Sequence, residues 1–324
     1  MNEIVVKTVA LGKKYRDKYA VRDMNVEIRR GQIYGLIGQN GAGKTTFIRM
    51  LTGLAAPSEG HIELFGEFGE KGLQAARRRI GSIVETPALF PAMTARQNLE
   101  TQARLLGTTE KNWLGINKKN WHEEIFLISE VLELAGISRT GNKKVRDFSL
   151  GMKQRLALAQ AMLSQPDFLI LDEPVNGLDP KGIIENRELL KQLAAERGMT
   201  ILISSHILSE LSLLATDYGI IDNGRLVKQI RAEDLQIECR QYIRLLTTEV
   251  MKALSVLKVR FKIKDLQIVE GGEIRIFEHF DHIGQINMAL AKADVPVNSI
   301  SMEGQDLEDY FIKLTGNSGV GEAV

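Results

Sequence analysis

From residue 4 to about residue 230, short β-branched runs alternate with stretches of helical period, a pattern that predicts a mostly parallel sheet flanked by helices. IYGLIG (33–38) reads as a strand entering a glycine-rich loop, and GKTTFIRMLTG as the helix behind it. IGSIVE (80–85), DFLILDE (167–173) and MTILISS (199–205) are apolar enough to be further buried strands. Between IGSIVE and DFLILDE the texture changes. Helical patterns at 94–107, 122–136 and 149–164 follow one another without strands, which predicts a helical insertion at about 87–165 inside an α/β domain. Its polar loop TTEKNWLGINKKNW (108–121) offers Trp113 and Trp121 as local packing anchors.

The segment YGIIDNGRLVKQ predicts a hairpin closing this first domain, since Asn223-Gly224 between apolar flanks suits a type I′ turn. RAEDLQIE then reads as a polar link. From about residue 240 the predicted order is strand YIRLLTT, helix EVMKALSVLK, strand FKIKDLQIV, a turn at Gly271-Gly272, strand EIRIFEH, helix HIGQINMALAKA, strand VPVNSISM and helix LEDYFIKLT. That βαββαβ order is the α+β arrangement of a ferredoxin-like fold. The expected organisation is therefore a first, α/β domain at 1–235, an accessory domain at 240–316 and a disordered tail at 317–324.

Composition adds limits. The 324 residues with 44% hydrophobic content suffice for two cores. Forty-two basic against forty-one acidic residues leave a formal charge of +1, which supplies no field steering the chain to nucleic acid. Cys239 is the single cysteine, so no intramolecular disulfide forms, and it reads as a small buried residue in a reducing compartment. MNEIVVK lacks the features of a secretory signal, and the longest apolar candidate, ILISSHILSELSLLA, is interrupted by His206 and Glu210. A cytoplasmic protein that does not itself span the membrane is expected.

The chemistry concentrates at one motif. Gly38-Gln39-Asn40-Gly41-Ala42-Gly43-Lys44-Thr45 matches G-x-x-x-x-G-K-[ST] between a strand and a helix. Such glycines let backbone N–H groups turn around a phosphate, and the helix that follows adds its positive end. Lys44 can then reach the β and γ oxygens of ATP, while the hydroxyl of Thr45, followed by Thr46, suits Mg²⁺. LILDEP brings Asp172 to the carboxyl end of a core strand, where it would hold Mg²⁺ through water, and Glu173 follows as the base for an attacking water. His206, ending the strand ISSH, points to the same rim and to the γ-phosphate.

With Ser149-Leu150-Gly151-Met152-Lys153-Gln154-Arg155 upstream of LILDEP, residues 4 to about 230 resemble the ATP-binding cassette (ABC) family. The resemblance implies a P-loop NTPase cassette with a RecA-like core and a helical subdomain. It implies two chains sandwiching two ATP molecules, Ser149 and Gly151 reaching the γ-phosphate bound to the opposite subunit. Tyr15 stands where the family stacks an aromatic on adenine, and Asp179, in GLDP, where a loop crosses the dimer interface. Glu85 replaces the usual glutamine that touches Mg²⁺ and relays to a membrane partner. Gly177, Leu150 and Met152 also depart from the commoner residues. Glu85, the SLGMKQR signature and the C-terminal LEDYFIKLT are similar to the bacitracin-resistance and lantibiotic-immunity group. The implied function is an ATPase subunit that works as a homodimer, peripheral on the inner face of the membrane, and energises peptide export through a separate permease. Leu89, Phe90 and Met93 belong either to the core or to a groove for a permease helix. The alternative is a soluble regulatory ATPase of the same family, uncoupled from transport.

Overall fold

A computed structural model of the chain describes residues 3–85, 87–106, 121–269, 271–304 and 307–316. Trp113 with the loop around it, the side chain of Trp121, and the tail at 317–324 lie outside the described residues. The chain divides into two compact units, Met1–Ala232 and Glu233–Val324.

In the first unit, β1 (Ile4–Tyr15) pairs antiparallel with β2 (Lys18–Met24) and with β3 (Glu27–Arg29). The chain then enters the main sheet through β4 (Ile33–Ile37), forms α1 (Lys44–Thr52), and returns to β1 as β5 (Glu59–Leu64). After α2 (Gly69–Arg77) and β6 (Ile80–Ile83) come α3 (Ala95–Leu105), α4 (Trp121–Leu134) and α5 (Leu150–Met162), which pack on one another as the helical insertion. β7 (Phe168–Asp172), α6 (Pro180–Arg197), β8 (Thr200–Ser205), α7 (Leu208–Ser212) and the hairpin β9 (Asp217–Asp222), β10 (Arg225–Arg231) complete the unit. The main sheet has the order β10-β9-β4-β8-β7-β6, parallel except for β10.

Every residue of β4, β7 and β8 is buried, as continuous apolar runs require of a sheet covered on both faces. Phe47, Ile48 and Leu51 of α1 join Leu36, Ile170 and Leu202 in one cluster, each such burial being worth about 1.5–3 kcal/mol. The register sets the site. Ile37 lies beside Ser205, and Asp172 beside Ser204. The residues after these three strand ends, Gly38, Glu173 and His206, thus leave the sheet at one edge. At the hairpin Asn223 has φ 46° and Gly224 φ 77°, the left-handed pair that a type I′ turn needs.

RAEDLQIE, expected as a link, instead ends β10 at Arg231 and continues as α8 (Ala232–Cys239). Leu235 and Cys239, four residues apart, are both buried, and this one-face spacing favours a helix over a solvated linker. The second unit continues with β11 (Tyr242–Thr247), α9 (Val250–Arg260), β12 (Leu266–Val269), β13 (Glu273–Ile276), α10 (Ile283–Lys292), β14 (Val297–Glu303) and α11 (Leu307–Gly316). Its antiparallel sheet has the order β12-β13-β11-β14, a ferredoxin-like topology. Ile243, Leu245, Ile274 and Ile276 of the sheet meet Leu254 and Leu257 of α9 and Ile286 and Leu290 of α10 in its core. The strand expected from Phe261 begins only at Leu266. Lys262 is left-handed, at φ 55°, and Ile263 turns into the core before pairing starts. No helix among the described residues is long and apolar enough to cross a membrane.

Candidate active site

The loop between β4 and α1 is shaped by close approaches that only glycine permits. A Cβ on Gly38 would stand 2.6 Å from the Ile221 carbonyl oxygen, and one on Gly43, where φ is 108°, would stand 2.5 Å from that of Ala20. Inside this curl Lys44 is buried, only 5% exposed. It donates to the carbonyl oxygens of Gly38 at 2.7 Å and Gln39 at 3.2 Å, and stands 3.3 Å from Glu173 Oε1. A lysine head has three protons, so all three have a partner in this arrangement.

Glu173 is the hinge of the site. Its backbone is left-handed, at φ 49°, an unusual state for a residue with a Cβ. One hydroxyl holds it there: Ser204 Oγ accepts from Glu173 N at 2.9 Å and donates to Asp172 Oδ1 at 2.6 Å. Asp172 and Ser204 are both buried. The Glu173 carboxylate thus turns outward, its Oε1 toward Lys44 and its Oε2 2.8 Å from His206 Nδ1. A carboxylate between an ammonium and an imidazole, at the edge of a cavity, has the placement a proton acceptor needs.

That cavity measures about 390 Å³, and Asn40, Gly41, Gly43, Thr45 and Thr46 line it together with Lys44, Glu173, Asn176 and His206. The loop glycines and the start of α1 favour an anion. Among the described residues no cluster of three His, Cys, Asp or Glu side chains could hold a metal by itself. The Thr45 hydroxyl on the cavity wall, and the buried Asp172 carboxylate through a bridging water, would be oxygen donors of the hard kind that Mg²⁺ takes together with phosphate oxygens.

Other expected residues fall elsewhere. Tyr15 lies at the exposed end of β1 with the Lys13 ammonium 5.1 Å from its ring centre, and Asp172 lies under Ser204; neither lines the cavity. Glu85, left-handed at φ 60°, is turned to Arg49 of α1, whose Nη2 is 2.5 Å from its Oε1. Ser149 and Asp179 are helix N-caps: Ser149 Oγ accepts from Met152 N at 3.3 Å, and Asp179 Oδ1 accepts from Gly182 N at 3.1 Å. With Gly151 and Gly177 they line a second cavity of about 390 Å³, separate from the phosphate loop. A third groove of similar volume is walled by Ile83, Val84, Pro87, Ala88, Leu106 and Gln160. Leu89, Phe90 and Met93 are not part of that wall; instead the Asn98 side chain ties down both the N–H and the carbonyl of Phe90. Sequence reasoning missed Ser204, Asn176 and Arg49. A serine closing an otherwise apolar strand, in ISSH, was the one available signal for Ser204.

Residues 21–176 match the ABC transporter family model. The chain is 43% identical over 317 residues to the bacitracin transport ATP-binding protein of Bacillus licheniformis, covering 98% of this chain and 99% of that protein. It is 39% identical over 224 residues to the lantibiotic transport ATP-binding protein of Streptococcus pyogenes, 69% of this chain and 89% of the other. Among solved structures it resembles part of the cbiONQ ABC transporter complex of Clostridium perfringens (TM-score 0.63, 27% identity, 73% of this chain and 92% of that one). A bacterial ABC transporter cassette solved as a dimer is similar as well (TM-score 0.61, 25% identity, 70% and 98%).

Proposed function

The chain belongs to the ABC transporter family and is a nucleotide-binding ATPase of it, and we propose that its hydrolysis energises export of a bacitracin- or lantibiotic-like peptide through a separate membrane permease. The observation that carries the ATPase half of this reading is the Glu173 carboxylate held between Lys44 and His206 at the mouth of the phosphate loop. The export half rests on the relative in Bacillus licheniformis, which matches along nearly its whole length, the second unit included.

In this reading the backbone N–H groups from Gly38 to Lys44 and the α1 terminus receive the β- and γ-phosphates, with Asn40, Gly41 and Gly43 shaping the approach and Thr46 at the cavity wall. Lys44 redirects the N–H that faces Glu173 toward a phosphate oxygen, keeping its proton. Glu173, still oriented by His206, then takes the proton of a water attacking the γ-phosphorus. Thr45 and Asp172 would hold Mg²⁺, which offsets charge on the phosphates. Tyr15, on the exposed hairpin, is assigned to adenine. Because Ser149, Gly151 and Asp179 line a cavity of their own, a second copy of the chain would bring them to the nucleotide, making the working unit a homodimer. Glu85, paired with Arg49, would reach the Mg²⁺ or the permease only on leaving that pair. The groove at Pro87 and Ala88 would seat a cytoplasmic permease helix, keeping the protein peripheral on the inner face of the membrane.

The test is peptide resistance in a sensitive strain carrying this chain and its candidate permease. Glu173→Gln should abolish resistance to bacitracin and lantibiotics and lower phosphate release about 10²- to 10⁴-fold, with nucleotide binding retained. Near-parental turnover in this variant would reject the catalytic assignment. Unchanged peptide sensitivity with an active, expressed pair would reject the substrate.

A further inference from the structure

The second unit shows no catalytic motif in its sequence, yet its fold gathers basic groups that lie far apart in the chain. α9 ends on Arg260 and the chain turns at Phe261. His279 precedes α10, and His282, Met288 and Lys292 follow along it. These six residues line one groove of about 480 Å³, larger than the phosphate cavity of the first unit.

The ionisable residues on its wall are all basic. Among the described residues no carboxylate is bonded to Arg260, Lys292, His279 or His282. Glu278, adjacent to His279 and interacting with it electrostatically, accepts from the backbone N–H groups of Asp265, at 3.0 Å, and Lys264, at 2.5 Å, and is not on the wall. Asp281 is exposed and not on the wall. Basic residues in the last turns of α9 and α10 also complement the helix dipoles. That explanation does not extend to the imidazoles, which stand at the opposite end of α10. The two rings meet edge to face at 5.6 Å, with His279 in the left-handed region at φ 61° and ψ 35°. Strain of this kind persists where the surroundings hold it, and it concentrates at ligand clamps. The pair is unsuited to a metal cation, because Arg260 and Lys292 oppose one.

The groove is not purely polar. Phe261 is half-buried, and Met288, 59% exposed, supplies an adaptable thioether. A guanidinium fork and an ammonium match phosphate oxygens, while the phenyl ring and the thioether match an apolar substituent. We propose that this groove binds a phosphate ester bearing an aromatic or aliphatic group, the phosphate set among Arg260, Lys292 and the two imidazoles and the substituent against Phe261 and Met288. The site lies wholly within the second unit and does not depend on the transport reading.

The experiment follows the imidazole proton resonances of the full-length chain, which has five histidines, during titration with phenyl phosphate. Inorganic phosphate, benzoate and vesicles of phosphatidylcholine with or without phosphatidic acid serve as comparison probes. Phenyl phosphate should shift His279 and His282 saturably and bind more tightly than inorganic phosphate or benzoate. Arg260→Gln with Lys292→Gln, both at exposed positions, should weaken it at least about 10-fold with the melting temperature retained. His206 reports separately on the phosphate loop. Vesicle binding that needs phosphatidic acid, and is lost in the double variant, assigns the ester to a lipid headgroup; phenyl phosphate binding without it assigns a soluble ester. Unmoved His279 and His282 resonances, equal affinity for benzoate or inorganic phosphate, or undiminished binding in the double variant would overturn the proposal.

Discussion

Ser204→Ala removes a single oxygen from the floor of the active site, and the structure sets the size of the effect. The hydroxyl donates to Asp172 at 2.6 Å and accepts from Glu173 N at 2.9 Å, and the residue is fully buried. A hydrogen bond to a charged group is worth about 1.5–3 kcal/mol, and a buried N–H left without an acceptor costs about 1–3 kcal/mol. The adjacent cavity gives water some access, which offsets part of this sum, so a loss of about 2–4 kcal/mol in the first unit is expected. The catalytic loss should be larger than stability alone suggests. Without its acceptor, Glu173 is no longer held at φ 49°, and a shift of about 1 Å in a reacting group costs on the order of 10² in rate. Urea melts report the first quantity, and phosphate release at saturating MgATP in folded protein the second. Ser205→Ala is the control: among the described residues its hydroxyl bonds to the backbone of Ile207, at 3.3 Å and 2.9 Å, so it should lower stability and spare kcat. Equal kcat losses in the two variants, or a Ser204→Ala enzyme within twofold of the parent rate, would refute the reasoning.

The exposed Arg49–Glu85 pair should show a coupling of only about 0.2–1 kcal/mol in a double-mutant cycle of Arg49→Ala and Glu85→Gln, vanishing near 1 M salt; a larger stability coupling would mean the pair is structural. Arg244 and Arg275, each bonded to Glu273 at 2.7 Å, hold its carboxyl below the ordinary value of 4.5. Its stabilising contribution is therefore complete above that value and lost as pH falls through the lowered one. Glu273→Gln should lower the melting temperature at pH 7, and the difference from the parent should close below about pH 4.5; a constant difference down to pH 2 would contradict this. Gln160 Nε2 is, among the described residues, a buried side-chain nitrogen without a hydrogen-bond partner. Gln160→Leu should leave stability unchanged or raise it by about 1 kcal/mol in thermal melts, whereas a clear loss would reveal a bond the amide makes in solution.

What the sequence could reveal was whatever depends on neighbours along the chain. The strand entering Gly38, the curl ending at Lys44 and the apolar run delivering Asp172 and Glu173 are local patterns, and each is read without knowing the sheet order. Ser204 gains its role only because β7 and β8 are adjacent with Asp172 opposite it. Asn176 and Arg49 were equally unreadable, since one meets the cavity and the other meets Glu85 through folding. The link expected at RAEDLQIE failed because its five charged or amide side chains outweighed the apolar spacing of Leu235 with Cys239, just beyond the segment, whose burial decides the conformation. The basic groove of the second unit joins residues 260–261 to residues 279–292, a separation no motif scan spans.

The three partners of the Lys44 ammonium carry a consequence for selectivity. With two protons on main-chain carbonyls and the third facing Glu173, the resting loop does not expose an unopposed positive hole. A lone orthophosphate ion entering from solution must displace a carboxylate already in place, at 3.3 Å, and offers few contacts in exchange. A triphosphate that offers the loop amides more than one phosphate group has the surplus to do so. The same glutamate would thus act as a competitor that keeps the product of each turnover from lingering and slowing the next.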